Sequence, residues 1–170
     1  MKKRRGYLLL ESITTLAVIC IISLAMTSLL LMSSKIQNQI NDEVELQQQA
    51  AEIMRSIDEL ISQSYGIIQM ESGEVKDDEY LKIGFIDLKY SKPGSPEDKR
   101  IYVNRDKNKL FVTNVIDGNS KGGGYEIGDY IDGLYIKGDK SQRKIGIRLK
   151  LKKKSEYYMS TMETIILNAR

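Results

Sequence analysis

Histidine is absent from this 170-residue chain, cysteine occurs once and proline twice. Without histidine the chain lacks the commonest general base and metal ligand near neutral pH, so no nucleophile triad of the Ser-His type can be built. The single thiol, Cys20, leaves no intramolecular disulfide, and the fold must rest on packing. Charge of either sign is missing from residues 12–34, and glycine and proline are missing from residues 12–64. The net charge of +3 is equally local. Four cations and one carboxylate precede residue 35, and the remainder carries 22 Lys and Arg against 22 Asp and Glu. A generally basic nucleic-acid binder is not indicated.

The uncharged run of 23 residues amounts to roughly 34 Å of helix, enough to span a bilayer. Rich in Leu, Ile, Met and Val, it offers no residue at which a helix would break. Lys2, Lys3, Arg4 and Arg5 stand immediately before it, so the positive-inside bias predicts a cytoplasmic N-terminus and an exterior location for everything after about residue 35. A cleaved secretory signal would need a core of about 7 to 15 apolar residues and a small-x-small site. Ser23-Leu24-Ala25 is the available site, but Glu11 interrupts the core and the apolar run continues to Met32. A lipoprotein signal would use Cys20, with the large Ile19 before it. A plain signal anchor leaves Glu11 unexplained, although an ionisable side chain in such a segment is costly and marks function.

A short cationic leader ending in Gly6, followed by Tyr7, Leu8, Leu9, Leu10 and Glu11, resembles the prepilin signal of type IV pilins and pseudopilins. The resemblance implies cleavage after Gly6 on the cytoplasmic side by a prepilin peptidase, N-methylation of the new terminus at Tyr7, and an assembly role for Glu11, the fifth residue of the product. The physical logic is independent of the family. Cleavage leaves a free amine about one helical turn, roughly 6 Å along the axis, from the Glu11 carboxylate. In a bundle of such helices the carboxylate of one subunit can pair with the amine of a neighbour; in the family this pairing sets the axial stagger of subunits, and an unpaired charge in hydrocarbon would be costly. Gly6 lets the backbone enter a narrow proteolytic site. Two departures from the family pattern stand out. The three leucines replace the more usual Thr-Leu-Ile or Thr-Leu-Val, and the proline that many major pilins carry midway along this helix is missing from residues 25–31. The second departure points to a pseudopilin or minor subunit. Cleavage would leave a side-chain charge of −1.

Beyond the apolar run, Ile36, Ile40, Val44, Ala51, Met54, Ile57 and Ile61 recur at mostly helical spacing, widened by Leu46, Ala50, Ile53 and Leu60, which predicts an amphipathic helix ending near Gly66. A stalk coiled coil is the other reading of this stripe. Joined to the apolar run it makes one helix over 8–64, roughly 85 Å long. Residues 80–90, 101–104, 109–115, 131–137, 145–151 and 157–167 alternate as strands, with a hairpin loop at 105–108 and both prolines in the turn at 92–96. The helix needs a cover for its apolar face and so does the sheet. The expected fold is therefore α+β, a long N-terminal helix packed on an antiparallel β-sheet, which is also the pilin-like layout the resemblance implies. The domain reading is a leader at 1–6, a transmembrane helix half at 7–34, an amphipathic half at 35–65, and an extracytoplasmic sheet at 66–170 that forms one globular domain with 35–65. The ending, Glu163 to Leu167 and a short Asn-Ala-Arg tail, is similar to J-type minor pseudopilins.

No catalytic residue, metal site or cofactor is assigned. Gly122-Gly123-Gly124 lacks the strand, helix and Lys-Ser/Thr context of a phosphate loop and reads as a turn. Asp117, Asn119, Asp129 and Asp132, near Gly118 and Gly133, are calcium-type oxygen ligands without EF-hand spacing, and solvated turn carboxylates account for them, as for Asp77-Asp78-Glu79. Lys144, Arg148, Lys150 and Lys152 alternate with Ile145, Ile147, Leu149 and Leu151, and Lys153 and Lys154 extend this cationic strand face. It could touch DNA phosphates, or keep the sheet soluble and its edge unpaired; aromatic interleaving on the same face is not expected. The expected function is a structural, non-enzymatic one: a minor subunit of a type IV pilus, a type II secretion pseudopilus or a competence pseudopilus. Its partners would be prepilin peptidase, other pilin or pseudopilin subunits, an inner-membrane assembly platform and membrane lipid. The alternative is a membrane-anchored extracytoplasmic module that binds a ligand or DNA and never polymerises.

Overall fold

The computed structural model describes residues 3–90, 97–116, 118–120, 124–138 and 143–168. Lys2, the proline-containing turn at 92–96, Asp117 and residues 121–123 lie outside the described residues, and 3–6, with Lys3, Arg4, Arg5 and Gly6, are described as helix backbone. The chain divides into two compact units, 1–41 and 42–170. One helix, α1 (Lys3–Gln63), contributes to both.

In the N-terminal unit every side chain from residue 7 to residue 41 is exposed. The segment is helical because nothing in it breaks a helix, and its hydroxyls are returned to the backbone. Ser12 donates to the Leu8 carbonyl at 2.8 Å, Thr15 to Glu11 at 2.7 Å, Thr27 to Ser23 at 2.8 Å and Ser28 to Leu24 at 2.9 Å. Such internal bonds let Ser and Thr sit in an apolar helix without an unsatisfied donor.

In the C-terminal unit the buried stripe of α1 is Leu46, Ala50, Ile53, Met54, Ile57, Leu60 and Ile61. This corrects the stripe expected from the sequence: Val44 and Ala51 face outward here, as Ile36 and Ile40 do in the N-terminal unit. Spacing alone admits both phases, and only the sheet decides which one is covered. Met54, Ile57 and Ile61 of the expected stripe are buried, together with all four residues expected to widen it.

The sheet is antiparallel and comprises β1 (Ile67–Asp77), β2 (Tyr80–Leu88), β3 (Asp98–Asn104), β4 (Lys109–Ile116), β5 (Asn119–Ser120), β6 (Tyr125–Gly128), β7 (Ile131–Lys137), β8 (Lys144–Lys153) and β9 (Glu156–Ile165). Six of these were expected from alternation. β1 was missed because three register shifts and the polar Glu71-Ser72-Gly73-Glu74 run interrupt its period of two, and β5 and β6 are too short to announce themselves. The turn at 105–108 joins β3 to β4, with Asn108 at φ 53°, a conformation asparagine tolerates.

β2 is the branch point. Ile83 faces Ser72 of β1 on one edge and Leu134 of β7 on the other, whereas Phe85 faces Glu71 and Tyr102 of β3. Gly84 is the extra residue of a bulge between these pairs, so the inward-facing positions shift from Ile83 to Ile86 and one strand serves two successive partners. Gly128 on β6 serves a different need: a β-carbon there would come within 2.2 Å of Ile53 Cδ1, so only glycine lets the strand approach α1. Ile83, Ile86, Leu88, Ile101, Leu110, Val112, Leu134, Ile136, Ile145, Ile147, Leu149 and Leu151 close over the helix stripe as one core. On the other side of β2 and β3, buried Asp87 receives both Arg100 Nε at 2.6 Å and Nη2 at 2.8 Å, and the guanidinium lies 4.2 Å from the Phe85 ring centre.

The corrected stripe has a direct consequence. Ile57→Ala should cost about 2–5 kcal/mol of stability, whereas Ile40→Ala should stay within about 0.5 kcal/mol. Urea unfolding of the full chain in detergent, followed by circular dichroism, measures both.

Candidate functional site

The residues singled out for processing and assembly lie on the first turns of α1. Tyr7 is 74% exposed and is followed by Leu8, Leu9 and Leu10, all more than 60% exposed. Glu11 is exposed on the same helix, and its main-chain carbonyl accepts the Thr14 hydroxyl at 2.9 Å and the Thr15 hydroxyl at 2.7 Å. These bonds occupy the backbone and leave the carboxylate without an ion-pair partner among the described residues. Helical geometry places Tyr7 and Glu11 four residues apart, on one face of the helix. The helix is long and apolar enough to cross a membrane.

A second constellation, not foreseen from the sequence, fastens α1 to the sheet within the C-terminal unit. Lys153, at the end of β8, reaches Asp42 Oδ1 at 2.9 Å and Glu45 Oε2 at 2.5 Å, and Lys154 reaches Asp42 Oδ2 at 2.6 Å. The Tyr130 hydroxyl donates to Glu45 Oε1 at 2.9 Å. Lys154 takes a positive φ of 55° in the turn that joins β8 to β9, which presents two successive ammonium groups to one helix. The hydrogen bonds of Lys154 and Lys153 hold the Asp42 carboxyl below its ordinary value of 3.8, and those of Lys153 and Tyr130 hold Glu45 below 4.5. The same contacts raise Lys153, through Glu45 first, and Tyr130. The Asp42 and Lys153 side chains are only 13% and 16% exposed, so this clamp is closed on itself.

The cationic strand face is not as the sequence suggested. Aromatic rings do interleave with it, supplied by neighbouring strands. Tyr135 of β7 lies opposite Arg148 and Tyr157 of β9 opposite Lys152. The Arg148 guanidinium lies 4.1 Å from the Tyr80 ring, Lys150 and Lys82 lie 5.0 and 5.7 Å from Tyr135, and Lys152 lies 4.9 Å from Tyr157. A single strand cannot reveal partners that register creates. Tyr80 and Tyr135 are themselves buried, at 9% and 5% exposure, because the cations cover them. Lys144 is spent on Glu163 at 2.6 Å.

Of the calcium-type ligands, Asp117 lies outside the described residues. Asp129 pairs with Lys109 at 3.1 Å beside Glu126, the Asp132 carbonyl accepts Lys82 Nζ at 3.1 Å, and Glu79 pairs with Lys137. Among the described residues no group of three or more His, Cys, Asp or Glu is placed to hold a metal ion. No family model, curated protein or solved structure was found to match the chain.

The clamp sets a pH dependence. Because Asp42 and Glu45 titrate lower in the folded chain than in the unfolded one, their contribution is present above about pH 4.5 and is lost as pH falls below 3.8 through the folded values. The thermal midpoint of the full chain in detergent should fall across this window. The fall should be shallower in Asp42→Asn, which starts from a lower midpoint at pH 7.

Proposed function

We propose that the chain is a prepilin-like subunit, cut after Gly6, methylated at Tyr7 and assembled through its N-terminal helix into a type IV pilus or a related pseudopilus. The observation that carries this reading is the register of three features: a glycine that ends a cationic leader, an aromatic residue after it, and a lone carboxylate four residues further on an otherwise uncharged and fully exposed helix. An apolar helix of this length cannot be left in water, since burying a single large aliphatic side chain is worth about 1.5–3 kcal/mol. Lipid covers it before assembly and sibling helices cover it afterwards. Glu11 is what makes the second state specific, because a carboxylate in hydrocarbon favours the one axial stagger that brings the amine of a neighbour to it.

The pilin-like layout follows from the same reading. The exposed apolar part of α1 in one unit supplies the means of assembly and the sheet-covered part in the other supplies a folded domain, and the lack of proline at 25–31 favours a minor or pseudopilin role. In this scheme Lys2, Lys3, Arg4 and Arg5 hold the leader in the cytoplasm, where the peptidase acts.

Coexpression with a prepilin peptidase should remove the first six residues and add one methyl group to Tyr7, as read by intact mass. An unchanged mass contradicts the reading. Glu11→Ala should still be cleaved but should fall about tenfold or more in recovery with sheared filaments, as expected if one charge pair of about 1.4 kcal/mol or more is lost. Undiminished recovery removes the assembly role of Glu11.

A further inference from the structure

The last strand of the sheet leaves one edge open. β9 is ten residues long and among the described residues pairs only with β8, in a register without a shift from Lys144↔Ile165 to Lys153↔Glu156. In an antiparallel ladder the N–H and C=O of a residue point to one edge and those of the next residue to the other. Just beyond the strand the Ile166 N–H donates to the Arg143 carbonyl, on the β8 side, and the Leu167 N–H to Ser62 of α1, on the opposite side. Even-numbered residues of β9 therefore spend their backbone groups on β8. Tyr157, Met159, Thr161, Glu163 and Ile165 direct theirs outward, where no described residue meets them.

The other strands with a single partner are protected. β5 and β6 have two and four residues, and β1 is interrupted by three register shifts. Short length and bulges are the usual means of blunting an edge, along with lysine and proline. β9 has none of these. It carries no proline and no lysine, and Tyr157, Met159 and Ile165 on its outer side are 63%, 54% and 53% exposed.

We propose that the free edge of β9 binds an extended segment of a partner polypeptide as an added strand, apolar on the side that faces the core and acidic on the other. The backbone groups supply affinity for any extended chain, and the flanking side chains select among them. On the inner side Tyr158 and Met162 are only partly buried against the core, so apolar residues of the added strand would complete their cover. On the outer side the added residue beside Tyr157 lines up with the cross-strand row Lys152–Tyr157, and the ammonium of the exposed Lys152 lies over β9, 4.9 Å from the Tyr157 ring, on the side from which an added carboxylate would approach. The acid of β9 nearest the far end, Glu163, is already held by Lys144 and does not repel the incoming chain. This assignment stands apart from the processing of the leader and does not rest on it.

The test uses the full chain in detergent micelles and two capped ten-residue probes, one alternating Val and Glu and one alternating Val and Lys. The Val-Glu probe should slow amide exchange at Met159, Thr161 and Glu163 and bind about tenfold more tightly than the Val-Lys probe by fluorescence anisotropy. Thr161→Pro removes one outward donor but none of the bonds to β8; it should abolish the protection while the even-numbered β9 amides remain slow. Lys152→Glu, which leaves the edge intact, should shift the preference towards the Val-Lys probe. Unchanged exchange at the outward amides in the presence of the Val-Glu probe, or equal affinity for the two probes, overturns the proposal. Protection of the same amides by concentration alone, without probe, assigns the edge to a second copy of the chain and overturns the assignment to a partner.

Discussion

An uncharged helical surface that water cannot usefully solvate, broken by one carboxylate, is the constraint on which the rest of the molecule depends. From Tyr7 to Met32 the large apolar side chains are all more than half exposed. The cover must come from outside, and a helix that relies on external cover acquires specificity only from its polar exception. Glu11 is that exception. The hydroxyls around it are bonded to the backbone, and among the described residues its carboxylate has no ion-pair partner.

The same helix changes character at its second unit, where the demand is met internally. Leu46, Ile53, Ile57 and Ile61 are fully buried, and Gly128 has no side chain where Ile53 comes through. At the start of this buried stripe, Asp42 and Glu45 engage Lys153, Lys154 and Tyr130. The attachment point is thus defined by charge as well as by apolar packing. At the opposite end, Thr164 donates to Asp58 at 2.5 Å and Tyr90 to the Leu60 carbonyl. The helix is pinned at both ends of its buried segment.

How much of this could be read in the sequence depends on how local each feature is. The Gly6, Tyr7 and Glu11 pattern spans six residues, and strands with near-regular alternation, such as 157–165, carry their own signature. The α1 stripe was legible as a helix and its phase in part: Met54, Ile57 and Ile61 are buried as expected, whereas Ile36, Ile40 and Val44, which recur at the same helical spacing, are exposed. β1 was hidden by its bulges. The clamp joins side chains 85 to 112 positions apart, and the rings of Tyr80, Tyr135 and Tyr157 meet β8 only through cross-strand register. Neither is a property of any one segment.

The central claim is that the Glu11 carboxylate of one subunit meets the Tyr7 amine of another. Zero-length carbodiimide coupling of assembled filaments, followed by proteolysis and mass spectrometry, tests it most directly. The account predicts an amide joining Tyr7 and Glu11 of different subunits, absent from Glu11→Gln. Filaments that yield no such link, or that retain an intact Gly6–Tyr7 bond, would contradict it.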